Sequence, residues 1–192
     1  MSTKSKRNGT KVITDRVRMS FLNWFAPRKN ELNGQDEYSA ELLIPKSDTE
    51  TITNLRAAMK EAIVGKFGDK IPPNLRNPLK DGDTATKADG GPLADYYKGH
   101  VFLRVKSTER PGVIGPDGKE LQEASQFVSG DYGQASIVAF AYDQAVNKGV
   151  SFYLQNLMLW DKGEAFGGSR ASASDDFGVK SSAATDFSND FN

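Results

Sequence analysis

Apolar and polar positions alternate along much of the chain, and the period switches to a helical one in a single clear place. Residues 11–22 put Val17, Met19 and Phe21 on one face and Arg16, Arg18 and Ser20 on the other, which is a strand pattern. Residues 36–45 repeat it, with Tyr38, Ala40, Leu42 and Ile44 alternating against Ser39, Glu41 and Leu43 up to Pro45. The polar stretch from Pro27 to Gln35 between them carries a turn signal at Asn33-Gly34. Next, Ile52, Leu55, Met59, Ala62 and Ile63 recur at helical spacing behind a Ser47 or Asp48 cap, with Gly65 and Gly68 bracketing the end. Strand spacing returns at 100–107, where Val101, Leu103 and Val105 oppose Phe102, Arg104 and Lys106. A small hairpin is expected over 111–121 around Pro116-Asp117-Gly118. Two longer runs, 132–142 and 150–160, joined through Asn147-Lys148-Gly149, read as an antiparallel hairpin.

Two stretches fall outside this rhythm. Residues 68–99 hold Pro72, Pro73, Pro78 and Pro92 with Gly82, Gly90 and Gly91, a connection long enough to be a functional loop or a partly disordered one. After Trp160 the chain turns rich in Ser, Ala and Gly, with no Ile or Leu and a single Val, so it cannot bury a core of its own. The expected division is a flexible basic N-terminus at 1–10, one domain at 11–160, and a flexible acidic tail at 161–192. The fold class is mainly β: an oligonucleotide-binding (OB)-like small antiparallel barrel with one helix, plus a disordered acidic C-terminal tail. The helix comes earlier in the strand order than the usual OB plan has it.

Composition narrows the chemistry. There is no cysteine, which removes disulfides, zinc–cysteine sites and thiol catalysis. No run approaches the apolar length of a membrane span, and the opening residues lack a signal-peptide core. The single histidine, His100, has no second histidine or cysteine to share a metal. Asp81-Gly82-Asp83 with Asp89 starts like a calcium loop, but Ala85, Thr86 and Pro92 stand where a third ligand, the central glycine and the closing glutamate belong, so these are read as solvated loop acids. No phosphate-binding loop motif occurs. Hence no enzyme, cofactor or metal is expected. The net charge is zero, but its distribution is not even. Residues 1–18 carry Lys4, Lys6, Arg7, Lys11, Arg16 and Arg18 against Asp15 alone, whereas Asp161, Glu164, Asp175, Asp176, Asp186 and Asp190 dominate the far end.

A protein that holds single strands without reading sequence needs flat aromatic faces beside cations along the phosphate path. Phe102, Arg104 and Lys106 project to one side of a strand, as do Arg16 and Arg18 of the first. Trp24 follows that strand near Arg28 and Lys29, and Tyr142, Phe152 and Tyr153 flank the last hairpin. These eleven positions are the candidate nucleic-acid contacts. Taken singly, each also fits a bland role, since strand arginines commonly form a wet face and β-protein aromatics commonly pack in cores. In the tail, Asp175-Asp176-Phe177, Asp186-Phe187 and Asp190-Phe191 repeat a carboxylate followed by phenylalanine, a pattern suited to docking in a partner's apolar pocket.

Several motifs together resemble a phage family of single-stranded-DNA-binding proteins with an OB-type fold, first catalogued as a domain of unknown function. They are Pro78-Leu79-Lys80-Asp81-Gly82-Asp83, Tyr97-Lys98-Gly99-His100, Arg110-Pro111-Gly112-Val113, Asn147 to Ser151, Leu154 to Leu157, and Gly163 to Gly168 leading to Asp175-Asp176-Phe177. The resemblance spans most of residues 10–178 and implies the family's fold and DNA binding; it brings no map of contacts. The expectation is a sequence-tolerant single-strand binder in phage replication or recombination, in the cytoplasm of the infected bacterial host. Its tail would compete with DNA and recruit replication or recombination proteins, and self-association is left open. The alternatives are a virion assembly protein that never meets DNA, and a strand-annealing factor.

Overall fold

Alternation along five strands lets the sheet curl until it meets itself, with one apolar face turned inward. The computed structural model describes residues 4–31 and 33–166. A short hairpin, β1 (Lys6–Asn8) and β2 (Lys11–Ile13), leads into β3 (Val17–Lys29) and β4 (Asp36–Pro45). Then come α1 (Thr49–Phe67), the two-residue β5 (Lys80–Asp81), β6 (His100–Ser107), β7 (Gly112–Ile114), β8 (Tyr132–Asp143) and β9 (Lys148–Asp161). Strands β3, β4, β6, β9 and β8 form a ring: β3 pairs with β4, β4 with β6, β6 with β9, β9 with β8, and β8 with β3. Every ring contact is antiparallel except β6–β9, which is parallel and joined by one residue pair, Lys106 with Tyr153. The result is OB-like, with the helix after the second ring strand.

The interior holds Val17, Met19, Leu42, Ile44, Leu103, Val105, Ile137, Phe152 and Leu154, all fully or almost fully buried. Helix α1 adds Ile52, Leu55, Ala58 and Ala62 to the same core. Its first turn is capped by Asp48, whose carboxylate accepts from the Thr51 N–H at 3.0 Å. Its far end stops at Gly68, where φ is +56°.

A second, smaller core lies outside the ring. The connection after β5 folds back so that Tyr97 covers Leu43 and Phe102, with Leu93, Tyr96 and Phe166 around them. Leu43 therefore breaks the simple inside–outside alternation of β4 because both of its faces are covered at this end.

Several boundaries differ from expectation. The N-terminus is not loose from Lys6 onward: β1 pairs with β2, and the Arg7 guanidinium meets the Glu61 carboxylate at 2.8 Å. Strand β3 continues to Lys29 because Arg28 and Lys29 lie opposite Glu37 and Asp36, with Pro27 accommodated at an irregular stretch of the pairing. The β8–β9 turn is Gln144 to Asn147, closed by N–H to O bonds of 2.9 and 3.1 Å, so Lys148 and Gly149 already belong to β9.

The folded body also runs past Trp160. Buried Asp131 accepts from Lys162 Nζ at 2.9 Å and from the Gly163 N–H at 3.1 Å, and Arg18 donates to the Glu164 carbonyl at 2.8 Å. Phe166 stacks on Tyr96 at 3.8 Å between centroids. Gly130 makes this strap possible: its φ is +106°, and a Cβ there would collide with the Glu164 carbonyl oxygen. The expected tail residues from 167 onward lie outside the described residues.

Phe152, expected as a DNA contact, fills the barrel interior with no exposed surface. Phe152→Ala should lower unfolding free energy by about 3–5 kcal/mol, the usual cost of emptying an aromatic site in a core. Denaturant melts of both proteins check this; a loss under about 1 kcal/mol would mean the barrel is not packed around this ring.

Candidate nucleic-acid interface

The outward face of β4 and β6 forms the floor of a groove of about 800 Å³. Glu41, Arg104 and Lys106 lie along it, and the β3–β4 connection contributes Asn33 and Gln35 at one rim. The end of the β8–β9 hairpin supplies Phe140, Tyr142, Gln144, Asn147 and Tyr153 at the other. In OB folds the face of the second and third strands, flanked by the loops after the first and fourth strands, is where oligonucleotides sit. Those loops correspond here to residues 30–35 and 144–147.

The long connection expected at 68–99 forms one wall, and it is fastened at both ends. The Arg76 N–H donates to the Lys148 carbonyl at 2.9 Å, and the Val150 N–H donates to the Arg76 carbonyl at 3.1 Å. Gly149 permits this approach, because a Cβ there would come within 2.8 Å of the Arg76 Cβ, the Arg76 carbonyl oxygen and the Tyr142 hydroxyl. On the other side Lys80 and Asp81 pair with Phe102 and Val101. Asp81 and Asp83 both grip Lys46, at 2.7 and 2.6 Å, and Asp83 also accepts from the Gly99 N–H at 2.8 Å. Hydrogen bonds from Lys46 hold both carboxyls below the usual carboxylate range. These acids, expected merely to be solvated, are a clamp that fixes the wall.

Aromatic and charged groups both line the groove, with Phe140, Tyr142 and Tyr153 gathered at one rim. Phe140 and Tyr153 stack at 4.0 Å with planes 18° apart, and Tyr142 lies 6.5 Å from Phe140. Tyr153 is 51% exposed, so one face of this stack is open. The cations are Arg76, Lys80, Arg104 and Lys106. Two carboxylates lie among them. Glu37 accepts from Lys106 Nζ at 2.8 Å and from Asn30 at 3.0 Å. Glu41 accepts from the Tyr97 hydroxyl. Partial burial acts to raise the Glu37 carboxyl, but the hydrogen bonds from Lys106 and Asn30 and the charges of Lys106 and Arg104 prevail and hold it low. Glu41 goes the other way: desolvation raises it, and the Tyr97 bond and the charges of Arg104 and Lys80 only partly offset that. Burial, then the Glu41 contact, pushes the Tyr97 phenol well up.

Of the expected contacts, the groove brings together Arg104, Lys106, Tyr142 and Tyr153, with Phe102 at its edge. Phe102 points to the expected side but is only 6% exposed, because Tyr97 packs against it edge-on at 4.8 Å; it is not an open stacking platform. Trp24 is 2% exposed, its indole N–H donating to the Phe127 carbonyl at 2.8 Å, and like Phe152 it belongs to the core. Arg16 and Arg18 are elsewhere. Arg16 covers the Tyr132 ring at 3.7 Å and pairs with Asp161, and Arg18 serves the C-terminal strap. Arg28 and Lys29 are exposed on the β3 arm, outside the groove lining. Asp175, Asp176, Phe177, Asp186, Phe187, Asp190 and Phe191 lie outside the described residues. Sequence reasoning missed Phe140, Arg76 and Lys80. Phe140 shares strand parity with Tyr142 and was within reach; the other two stand in an aperiodic connection and were not.

Among known proteins, the family model for the single-stranded-DNA-binding protein of Enterobacter phage Enc34 matches residues 10–191. The chain belongs to this family. It is 29% identical over 171 residues to "Putative protein p50" of Acyrthosiphon pisum secondary endosymbiont phage 1, covering 87% of this chain and 92% of that protein. Among solved structures it is similar to the Enc34 protein in complex with single-stranded DNA, at 20% identity and a TM-score of 0.73 over 87% of this chain and 98% of that one. It also resembles gp2.5, a single-stranded-DNA-binding protein encoded by bacteriophage T7, at 15% identity and a TM-score of 0.57, covering 95% of this chain and 99% of that one. The structural likenesses establish the OB-like fold of the family for this chain.

The two groove carboxylates should leave opposite marks on stability. Glu41, held high, favours the fold while protonated and loses that contribution as pH rises through its raised value. Glu37, held low, contributes above its ordinary range and loses that contribution as pH falls through its depressed value. Glu41→Gln keeps an acceptor for Tyr97 and should gain on the parent as pH rises. Glu37→Gln should be weaker at neutral pH and converge with the parent in acid. Urea melts of the three proteins from about pH 3 to pH 8 read both trends, and parallel profiles would refute them.

Proposed function

We propose that this protein binds single-stranded DNA with little regard to sequence, as a non-enzymatic component of phage DNA replication or recombination in the host cytoplasm. The observation that carries the reading is the groove: a fixed-wall channel on the β4–β6 face that holds four cations and an open aromatic stack. Bases unstacked from a partner strand supply the flat faces that Tyr153 can receive, and their phosphates suit Arg76, Lys80, Arg104 and Lys106. Membership of the Enc34 family supports the same reading.

The acidic tail is proposed to compete with DNA for this groove and, when displaced, to recruit a replication or recombination partner through its Asp-Phe repeats. Its point of departure supports that role. Phe166 shares a surface hollow with Arg28, and the cross-strand partner of Arg28 is Glu37, which lines the groove. A chain leaving from there starts about one strand away, at high effective concentration.

Oligo-dT titrations followed by fluorescence anisotropy test the main reading. Single strands should bind more tightly than duplex, with a log–log salt slope of roughly −3 if about four phosphates are neutralised. Tyr153→Ala should weaken binding by about 1–3 kcal/mol without lowering the melting temperature much. Equal affinity for duplex, or no salt dependence, removes the proposal.

Deleting residues 172–192 should tighten oligo-dT binding at low salt, with the gain shrinking as salt screens the competition. Phe187→Ala combined with Phe191→Ala should abolish partner capture while leaving DNA affinity unchanged. Identical low-salt affinities for full-length and truncated chains would remove the competitive role.

A further inference from the structure

The groove does not stop at Tyr153. At the β6–β9 seam the two strands share one residue pair, and beyond it the chain from Ser107 to Arg110 stands away from β9 until Gly112 pairs with Asn156. The gap is a second hollow of about 510 Å³, bounded by that stretch, by Val138 and by Tyr153 to Asn156. Ser107, Thr108 and Tyr153 line both hollows, so the depression is continuous.

At the far side of the second hollow stands Arg110, and an aromatic ring just outside the hollow's lining supports it. Arg110 lays its guanidinium over the Phe25 ring, 4.9 Å from the centroid. Phe25 is 39% exposed and is braced edge-on by Trp24 at 5.4 Å, and Trp24 is in turn fixed by its bond to the Phe127 carbonyl. Among the described residues no carboxylate lies within ion-pair distance of Arg110, although Glu109 stands on the same rim. Between Tyr153 and this pair lie the exposed hydroxyl of Thr108 and the exposed amides of Gln155 and Asn156. Neutral donors and an arginine that rests on an aromatic ring, with no carboxylate partner among the described residues, suit bases and phosphates of a strand better than an apolar protein segment.

We propose that this hollow continues the binding track: a single strand in the main groove crosses the β6–β9 seam at Tyr153 and stacks a further base on the Arg110–Phe25 pair. The inference rests on the single-strand reading above. It also gives Trp24 a part, as the brace of the platform and not as a contact.

The test compares a short oligo-dT of about 5 nucleotides with one of about 14, near the two ends of the range known for single OB folds, using the full chain at low salt. Arg110→Ala and Phe25→Ala should weaken the long oligonucleotide between about 5- and 150-fold, the range given by a lost base–aromatic stack. Both should leave the short one within about twofold, because it fills only the main groove. Arg110 is exposed, so its variant should melt like the parent and keeps the test valid if Phe25→Ala proves unstable. Unchanged affinity for the long strand, or equal loss for both lengths, would end the track at Tyr153. A change of oligomeric state in Arg110→Ala with DNA affinity intact would give the hollow to a second copy and overturn the proposal. If the parent binds neither oligonucleotide, the single-strand reading itself fails, an outcome distinct from the others.

Discussion

The structure depends on a five-stranded sheet closing through one parallel residue pair. Closure removes exposed edges and forces every ring strand to choose an inside and an outside for each residue. That choice sends Leu103, Val105, Phe152 and Leu154 inward and Arg104, Lys106 and Tyr153 outward. The pairing is so brief at Lys106–Tyr153 that the strands diverge immediately on the far side. A longer parallel ladder would have sealed the surface where the groove now continues. The wall from Arg76 to Lys80 depends on the same geometry, since it spans from β9 to β6 by bonding to both.

This constraint also explains what the sequence made legible. The periodic segments yielded five ring strands and the helix because alternation is imposed by closure. Faces within a strand were readable too, but only if adjacent aromatics were separated by parity. Phe152 and Tyr153 are neighbours in an extended strand, so they point to opposite sides, and buried Leu154 marks the side of Phe152. The failure at Phe102 has a different origin. Its parity was right, but Tyr97 comes from an aperiodic connection and covers it. Non-local coverage of that kind leaves no trace in local spacing. The C-terminal strap was hidden for the same reason: Lys162, Gly163 and Glu164 lack any strand or helix period, and they are held by the buried carboxylate of Asp131 and by Arg18, both distant in sequence.

The charges in the groove are arranged against simple attraction. Lys106 is already engaged by Glu37, and Glu41 sits desolvated on the floor near Arg104 and Lys80. A polyanion approaching this surface meets cations partly neutralised by fixed carboxylates, within a chain of zero net charge. Long-range steering is therefore weak, and so is the general attraction that makes very basic proteins hold any nucleic acid.

On the single-strand reading, the balance shifts recognition onto contacts that only an unstacked base can make. The Phe140–Tyr153 pair presents its open face beside those cations, and a duplex keeps its base faces stacked and unavailable to it. Phosphate contact alone has to displace Glu37 from Lys106, whereas phosphate contact together with stacking has a second favourable contribution to offset that displacement. Pairing cations with carboxylates thus lowers affinity for every polyanion alike, and stacking offsets the loss only for the one with exposed bases. Discrimination between single and double strands then follows from the aromatic face, against a general phosphate attraction kept low by internal ion pairing, without any contact that reads a base edge.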